Sequence, residues 1–262
     1  MAAWTNAVSP WLIVAMCAAV LAAVSGLSRV LARRNWAAEV LAERADHAGQ
    51  MVIPLGTLFA FLVGFAINMG WAAVGASQRA VDLHASAAQQ VAWDTNTISD
   101  KAGASAVNGG LQTYLNTVVA QDLPDLARGN TSNLPSAAAY DQLQGIIHVV
   151  AYPAGAGIPE AAGIISAAQD LTAWRTSLKA TAHRSVPSFL IILIAVAATA
   201  LAIVMGLAAA IRSRPGLIYL WSLVAGFAVA IVLVLQSPFG AGIAVDLSPL
   251  TETAQKLQQP PG

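Results

Sequence analysis

One run of the sequence combines polar and aromatic side chains at a spacing that could do chemistry. Residues 51–74 read MVIPLGTLFAFLVGFAINMGWAAV. Pro54, Thr57, Phe61, Gly64, Asn68 and Trp71 recur at alternating steps of three and four, which puts them on one face of a helix. That face offers a hydroxyl, an amide, aromatic rings and a backbone carbonyl that Pro54 leaves without its helical donor. In hydrocarbon an amide such as Asn68 needs another helix or water as a partner. Two readings fit. As a pore face, Thr57 and Asn68 supply polar contacts, and Phe61 or Phe65 forms an apolar constriction that gates by dewetting. As a packing seam, Asn68 bonds a neighbouring helix for about 1 kcal/mol.

Signatures of enzymes are missing. The sequence contains no G-x-x-x-x-G-K-[ST], no H-E-x-x-H, no G-x-S-x-G and no Cys/His ligand set. His47, His84, His148 and His183 have no metal spacing and read as solvated or internally satisfied side chains. Ala154-Gly155-Ala156-Gly157 lacks the Lys of a phosphate loop and reads as a turn. Cys17 is the only cysteine, so no disulfide within the chain can form. Neither catalytic residues, nor a metal, nor a cofactor is expected.

The elements that must position the polar face are apolar helices. Four runs contain no Asp, Glu, Lys, Arg or His: Pro10 to Ser28, Met51 to Ala76, Pro187 to Ile211 and Pro215 to Gln236. A helix rises about 1.5 Å per residue, so about 20 apolar residues cover the hydrocarbon thickness. A hydrophobic content of 57%, with 10% charged residues, describes no ordinary soluble domain. The spacing predicts an all-α, polytopic membrane protein with four transmembrane helices in two pairs. The N-terminal pair occupies residues 1–76, with spans at about 10–30 and 51–76 joined by a mixed-charge link, Arg29 to Gln50. An extramembrane helical module occupies residues 77–186, and a C-terminal hairpin, with spans 187–211 and 215–236 joined by Arg212-Ser213-Arg214, occupies 187–236. Residues 237–262 are a short tail.

Within the module, Val81, Ala85, Ala88 and Ala92 sit at helical spacing, as do Leu111, Leu115 and Val118. Residues 122–135 and 152–159 are rich in turn formers and mark loops. A last helix opens at Pro159-Glu160 and is expected to run into the third span. Ala198, Ala202, Gly206 and Ala210 form an extended row of small residues four apart, and Gly56, Ala60 and Gly64 form a similar one. Such rows let helix backbones approach closely. They predict tight helix pairs or contacts between copies.

Charge bounds the partners. A net charge of zero excludes a nucleic-acid partner, which needs a basic face. Proton-coupled transport usually uses ionisable groups within the spans, and these spans have none. The two short links hold six Arg, whereas the tail holds only Lys256. By the Lys/Arg bias of short loops both links are cytoplasmic, which puts both termini and the module outside a bacterial inner membrane.

Certain stretches resemble the bacterial bestrophin-like membrane proteins, a family defined by a domain of unknown function. The first is Leu62-Val63-Gly64-Phe65-Ala66 followed by Arg79, and the second is Arg184-Ser185-Val186-Pro187. The third is Ser237-Pro238-Phe239-Gly240, followed by Ile243, Val245 and Ser248-Pro249-Leu250. The order of two spans, helical insert, two spans and tail extends the resemblance over nearly the whole chain. Two family carboxylates are absent: Gln236 and Ser237 stand where an acidic residue precedes Pro-Phe, and His84-Ala85 replaces a Glu-Ala pair. True bestrophins have an Ile-Pro-Leu closely followed by a Phe-Val-Leu-Gly-Phe. Here Ile53-Pro54-Leu55 and Phe61-Leu62-Val63-Gly64-Phe65 stand about one helical turn further apart. Bestrophins are pentameric anion channels with a cytosolic insert, which opposes the topology given by the charge bias. The resemblance implies a homo-oligomer that passes small anions. The other reading is a non-catalytic accessory or structural subunit of a larger membrane complex, binding a partner through its insert.

Overall fold

The computed structural model describes residues 9–153, 157, 159–182, 186–211, 216–236, 239–240 and 245–257. Arg184, Pro238 and the Arg212–Arg214 link lie outside the described residues. The described residues form helices and no strand. In chain order these are α1 (Pro10–Asn35), α2 (Ala38–Thr95), α3 (Lys101–Thr117), α4 (Leu123–Ala127), α5 (Ser136–Ala151), α6 (Ala162–Ala182), α7 (Ser188–Ala208), α8 (Gly216–Val234) and α9 (Ser248–Lys256). Four of them, α1, α2, α7 and α8, are long and apolar enough to cross a membrane.

The expected link from Arg29 to Gln50 is helical almost throughout. Its residues are mostly Ala, Leu, Arg and Glu, which favour helix despite their charge. Only Trp36 and Ala37 break the path, Trp36 with φ −119° and ψ 139°. Arg33 and Arg34 lie in the last turn of α1 and Glu39 in the first turn of α2, each matching the local helix dipole. The Arg44 guanidinium lies 4.3 Å from the Trp36 ring. Two other expectations change. Residues 122–135 are not all loop, because a π-helical turn, Val118–Asp122, leads into α4 with Pro124 in its first turn. Nor does the last insert helix run unbroken into the third span. Pro187 has ψ 135°, an extended conformation ahead of α7.

The chain divides into two compact units, Met1–Ala72 with Ser185–Gln236, and Ala73–Arg184 with Ser237–Gly262. In the first, α1 packs against α7 and α8. Small residues make this possible. A Cβ on Gly206 would collide with Ser28 Oγ and the Ser25 carbonyl, and one on Gly226 would stand 2.5 Å from Ala18 N. Arg29 Nε and Arg33 Nε donate to the carbonyls of Ala209 (3.3 Å) and Ala210 (2.6 Å), just past the end of α7. Phe59, Leu62, Val63 and Ala66 of α2 share a core with Leu190, Ile194 and Leu201 of α7.

In the second unit the core gathers Val81 and Val91 of α2, Leu111 and Leu115 of α3, Leu143 of α5 and Leu171 of α6. The tail joins it. Leu250 of α9 is fully buried there, and Gln89 Nε2 donates to Thr253 Oγ1 at 2.8 Å. Gln78 holds the chain just before α9 from both sides: its Nε2 donates to the Asp246 carbonyl (3.2 Å), and its Oε1 accepts from Asp246 N (2.7 Å).

Candidate functional site

Helix α2 presents two contrasting faces. Phe59, Leu62, Val63, Ala66 and Gly70 are buried, and a Cβ on Gly70 would stand 2.7 Å from Leu235 Cβ. Pro54, Thr57, Phe61, Gly64, Phe65, Asn68 and Trp71 are all exposed. The residues singled out by spacing thus share one face that no other described part of the first unit covers. Phe61 is 69% exposed and stacks on Phe65 with ring centroids 6.4 Å apart and planes 10° from parallel. Thr57 Oγ1 donates to the Ile53 carbonyl at 2.9 Å, so its hydroxyl is tied back to the helix beside Pro54. Among the described residues none hydrogen-bonds the Asn68 amide.

The two rows of small residues behave differently. Ala198, Ala202, Gly206 and Ala210 are buried. Gly56 and Gly64 meet nothing within 4 Å of an added Cβ, and Ala60 is exposed. Of the remaining family-motif residues, Arg79 is exposed, Phe239 packs against the core of the second unit, Gly240 is buried, and Pro249 opens α9.

A second arrangement of polar groups lies in the insert. His84 of α2, Tyr114 of α3, Tyr140 of α5 and Arg175 of α6 form a connected set. Tyr114 Oη is 3.1 Å from His84 Nε2, the Tyr114 and Tyr140 rings are 5.3 Å apart, and the Arg175 guanidinium lies 4.8 Å from the Tyr140 ring. His84 is fully buried, not solvated, and its Nδ1 has no partner among the described residues. Burial pushes its pKa down to about 4, with the Arg175 charge adding to the effect. Burial also raises the Tyr114 phenol. One signal of this cluster was available, since His84 follows Val81 by three residues and shares its buried face. The other three members come from three further helices, which spacing along one helix cannot connect.

The family model for the bestrophin-like domain matches residues 15–250. The chain belongs to the bestrophin-like family. Comparison with curated protein sequences finds no match. Among solved structures, this bestrophin-like chain is similar to a bacterial bestrophin homologue from Klebsiella pneumoniae carrying a tryptophan-to-alanine substitution. The TM-score is 0.69 at 14% identity, over 94% of this chain and 95% of that one. A tyrosine-to-alanine variant of a bestrophin homologue from the same organism gives a TM-score of 0.65 at 12% identity, over 91% and 95%. A membrane protein with a proline-to-alanine substitution gives 0.65 at 11% identity, over 92% and 96%. At these identities the likeness establishes the fold: a bestrophin-like membrane protein with four apolar helices long enough to span.

Proposed function

We propose that this bestrophin-like protein assembles as a ring of identical copies around α2 and passes small anions passively. One observation carries the reading: the α2 face bearing Asn68 and the Phe61–Phe65 pair has no partner among the described residues of its own unit. An unpaired amide in hydrocarbon is costly, and a ring that turns each such face to a common wet axis removes that cost. The stacked phenylalanines then narrow the path and Asn68 offers it a polar contact. Spans without ionisable groups suit passive flow, and bestrophins are channels rather than enzymes.

Sealed liposomes containing the purified protein test this. A chloride gradient dissipates if the reading holds, and Asn68→Leu slows the flux without changing the oligomer. Ion-tight vesicles that contain folded, ring-forming protein overturn it.

A second reading, an accessory subunit that binds a partner through the insert, is favoured by a cleft of about 1130 Å³ between α3 and α5. Its walls are mostly apolar, with Ala102, Ile146, Val149 and Pro153 among them. Oligomeric state in mild detergent separates the two readings. A ring of identical chains supports the channel, and a monomer that co-purifies with a larger complex supports the subunit.

For topology, the six Arg of the two short links support a cytoplasmic position for both, with both termini and the insert outside. Single cysteines at Asn130 and Gln258 in a Cys17→Ser background report it. Neither reacting with an impermeant thiol reagent in intact cells, and both reacting after lysis, reverses the orientation.

A further inference from the structure

Arg175 of α6 is a cation whose hydrogen bonds are incomplete. Its Nε and Nη2 are shut off from water and have no partner among the described residues. Those two nitrogens are the pair whose N–H bonds run parallel along one edge of the guanidinium. That edge is the fork with which arginine takes two oxygens of a carboxylate or phosphate at once. The rest of the group is engaged: it lies over the Tyr140 ring at 4.8 Å.

No carboxylate among the described residues forms an ion pair with it. The nearby carboxylate, Asp122, is buried and spends its oxygens on Ser136, accepting from the backbone N at 3.0 Å and from the hydroxyl. Lys179, one turn further along α6, has its pKa lowered by burial and by the Arg175 charge, against a smaller opposing pull from Asp122, so a second cation lies within reach of the first. His84 Nδ1, on the ring whose Nε2 is 3.1 Å from Tyr114 Oη, is likewise buried with no partner among the described residues, and it adds to the unmet polar atoms near the Nε–H and Nη2–H donors of Arg175. A buried charge left without partners is strongly unfavourable, and what these donors lack is an acceptor with negative charge.

We propose that the insert binds a small oxyanion at Arg175, two of its oxygens accepting from Nε–H and Nη2–H. Arg175 as a whole is only half-buried, so the fork lies just beneath the surface of the module. Recognition by a parallel fork selects an anion with two oxygens over a halide. The site is separate from the α2 face and does not depend on the channel reading.

Thermal unfolding of the full-length protein in detergent tests it, with inorganic phosphate titrated against sodium chloride at matched ionic strength. Phosphate should raise the melting temperature along a saturating curve, by several degrees at saturation. Arg175→Gln should lose the saturating component, and Arg175→Lys, which keeps the charge without the fork, should retain only a small part. An identical phosphate response in wild type and Arg175→Gln overturns the proposal. Calorimetric titration of the wild-type protein with phosphate needs no variant, and absence of a binding isotherm there also overturns it. If a carboxylate of a second copy fills the fork instead, phosphate has no effect and Arg175→Gln alters the oligomer, which is likewise a refutation.

Discussion

Tyr114 Oη lies 3.1 Å from Nε2 of a fully buried His84, and the burial of that imidazole couples the insert's stability to pH. Burial lowers the His84 pKa from 6.5 to about 4, so between those values the unfolded chain binds a proton that the folded one refuses. Stability is therefore fully present above about pH 6.5 and falls as the pH drops towards 4, by roughly 3 kcal/mol over the window. His84→Gln removes the titration. Denaturant unfolding at pH 7 and pH 4.5 should show a larger acid loss for wild type than for His84→Gln. Equal losses would remove His84 as the cause.

Glycines on two helices predict opposite behaviour. Gly226 of α8 lies so close to α1 that an added Cβ would stand 2.5 Å from Ala18 N and 2.6 Å from Ala18 Cα, both backbone atoms that cannot swing away. Gly226→Ala should destabilise the first unit by about 1–3 kcal/mol through overpacking. Gly64→Ala on α2 meets nothing within 4 Å among the described residues and should leave monomer stability unchanged or slightly improved, because Ala favours helix. If the open face of α2 contacts other copies, the same substitution weakens the oligomer. Thermal unfolding and light scattering on both variants separate the two effects.

What was legible in the sequence follows from what one helix can encode. The four spans required only uninterrupted apolar runs, and the open face of α2 required only spacing, since Pro54 through Trp71 follow its turn. The row from Ala198 to Ala210 could be seen as a packing seam, but its partners Ser25 and Ser28 belong to α1 and nothing in α7 names them. The row through Gly56, Ala60 and Gly64 has the same pattern and faces outward, so small residues announce close approach without saying to what. Residues 38–50 read as a link because they are charged, although their Ala, Leu, Arg and Glu favour helix. The His84, Tyr114, Tyr140 and Arg175 cluster draws on four helices, and only the burial of His84 could be inferred from position.

The stacked pair on α2 gives a prediction about flow. Phe61 and Phe65 place two parallel rings on the open face, an apolar step next to the polar Asn68. A hydrophobic constriction resists wetting, so shortening it should ease passage. In the liposome assay Phe61→Ala should raise anion flux several-fold with the oligomer intact. Unchanged flux in a conducting protein would move the constriction elsewhere.

The tail gives a prediction about stability at a place that looks dispensable. Leu250 is fully buried in the core of the second unit, alongside Val245 and Ala254, although it belongs to a helix of only nine residues. A helix so short is not stable alone in water and depends on that burial. Leu250→Ala leaves a cavity that the surrounding side chains fill only in part, and it should cost about 2–5 kcal/mol. Gln78→Ala removes both hydrogen bonds to the Asp246 backbone, but Gln78 is partly solvated and water can replace them, so its cost should be near 1 kcal/mol. Limited proteolysis after Lys256, read with thermal unfolding of the whole chain, ranks the two. Faster cleavage in Leu250→Ala than in Gln78→Ala is expected, because apolar burial rather than the amide clamp holds α9 in place.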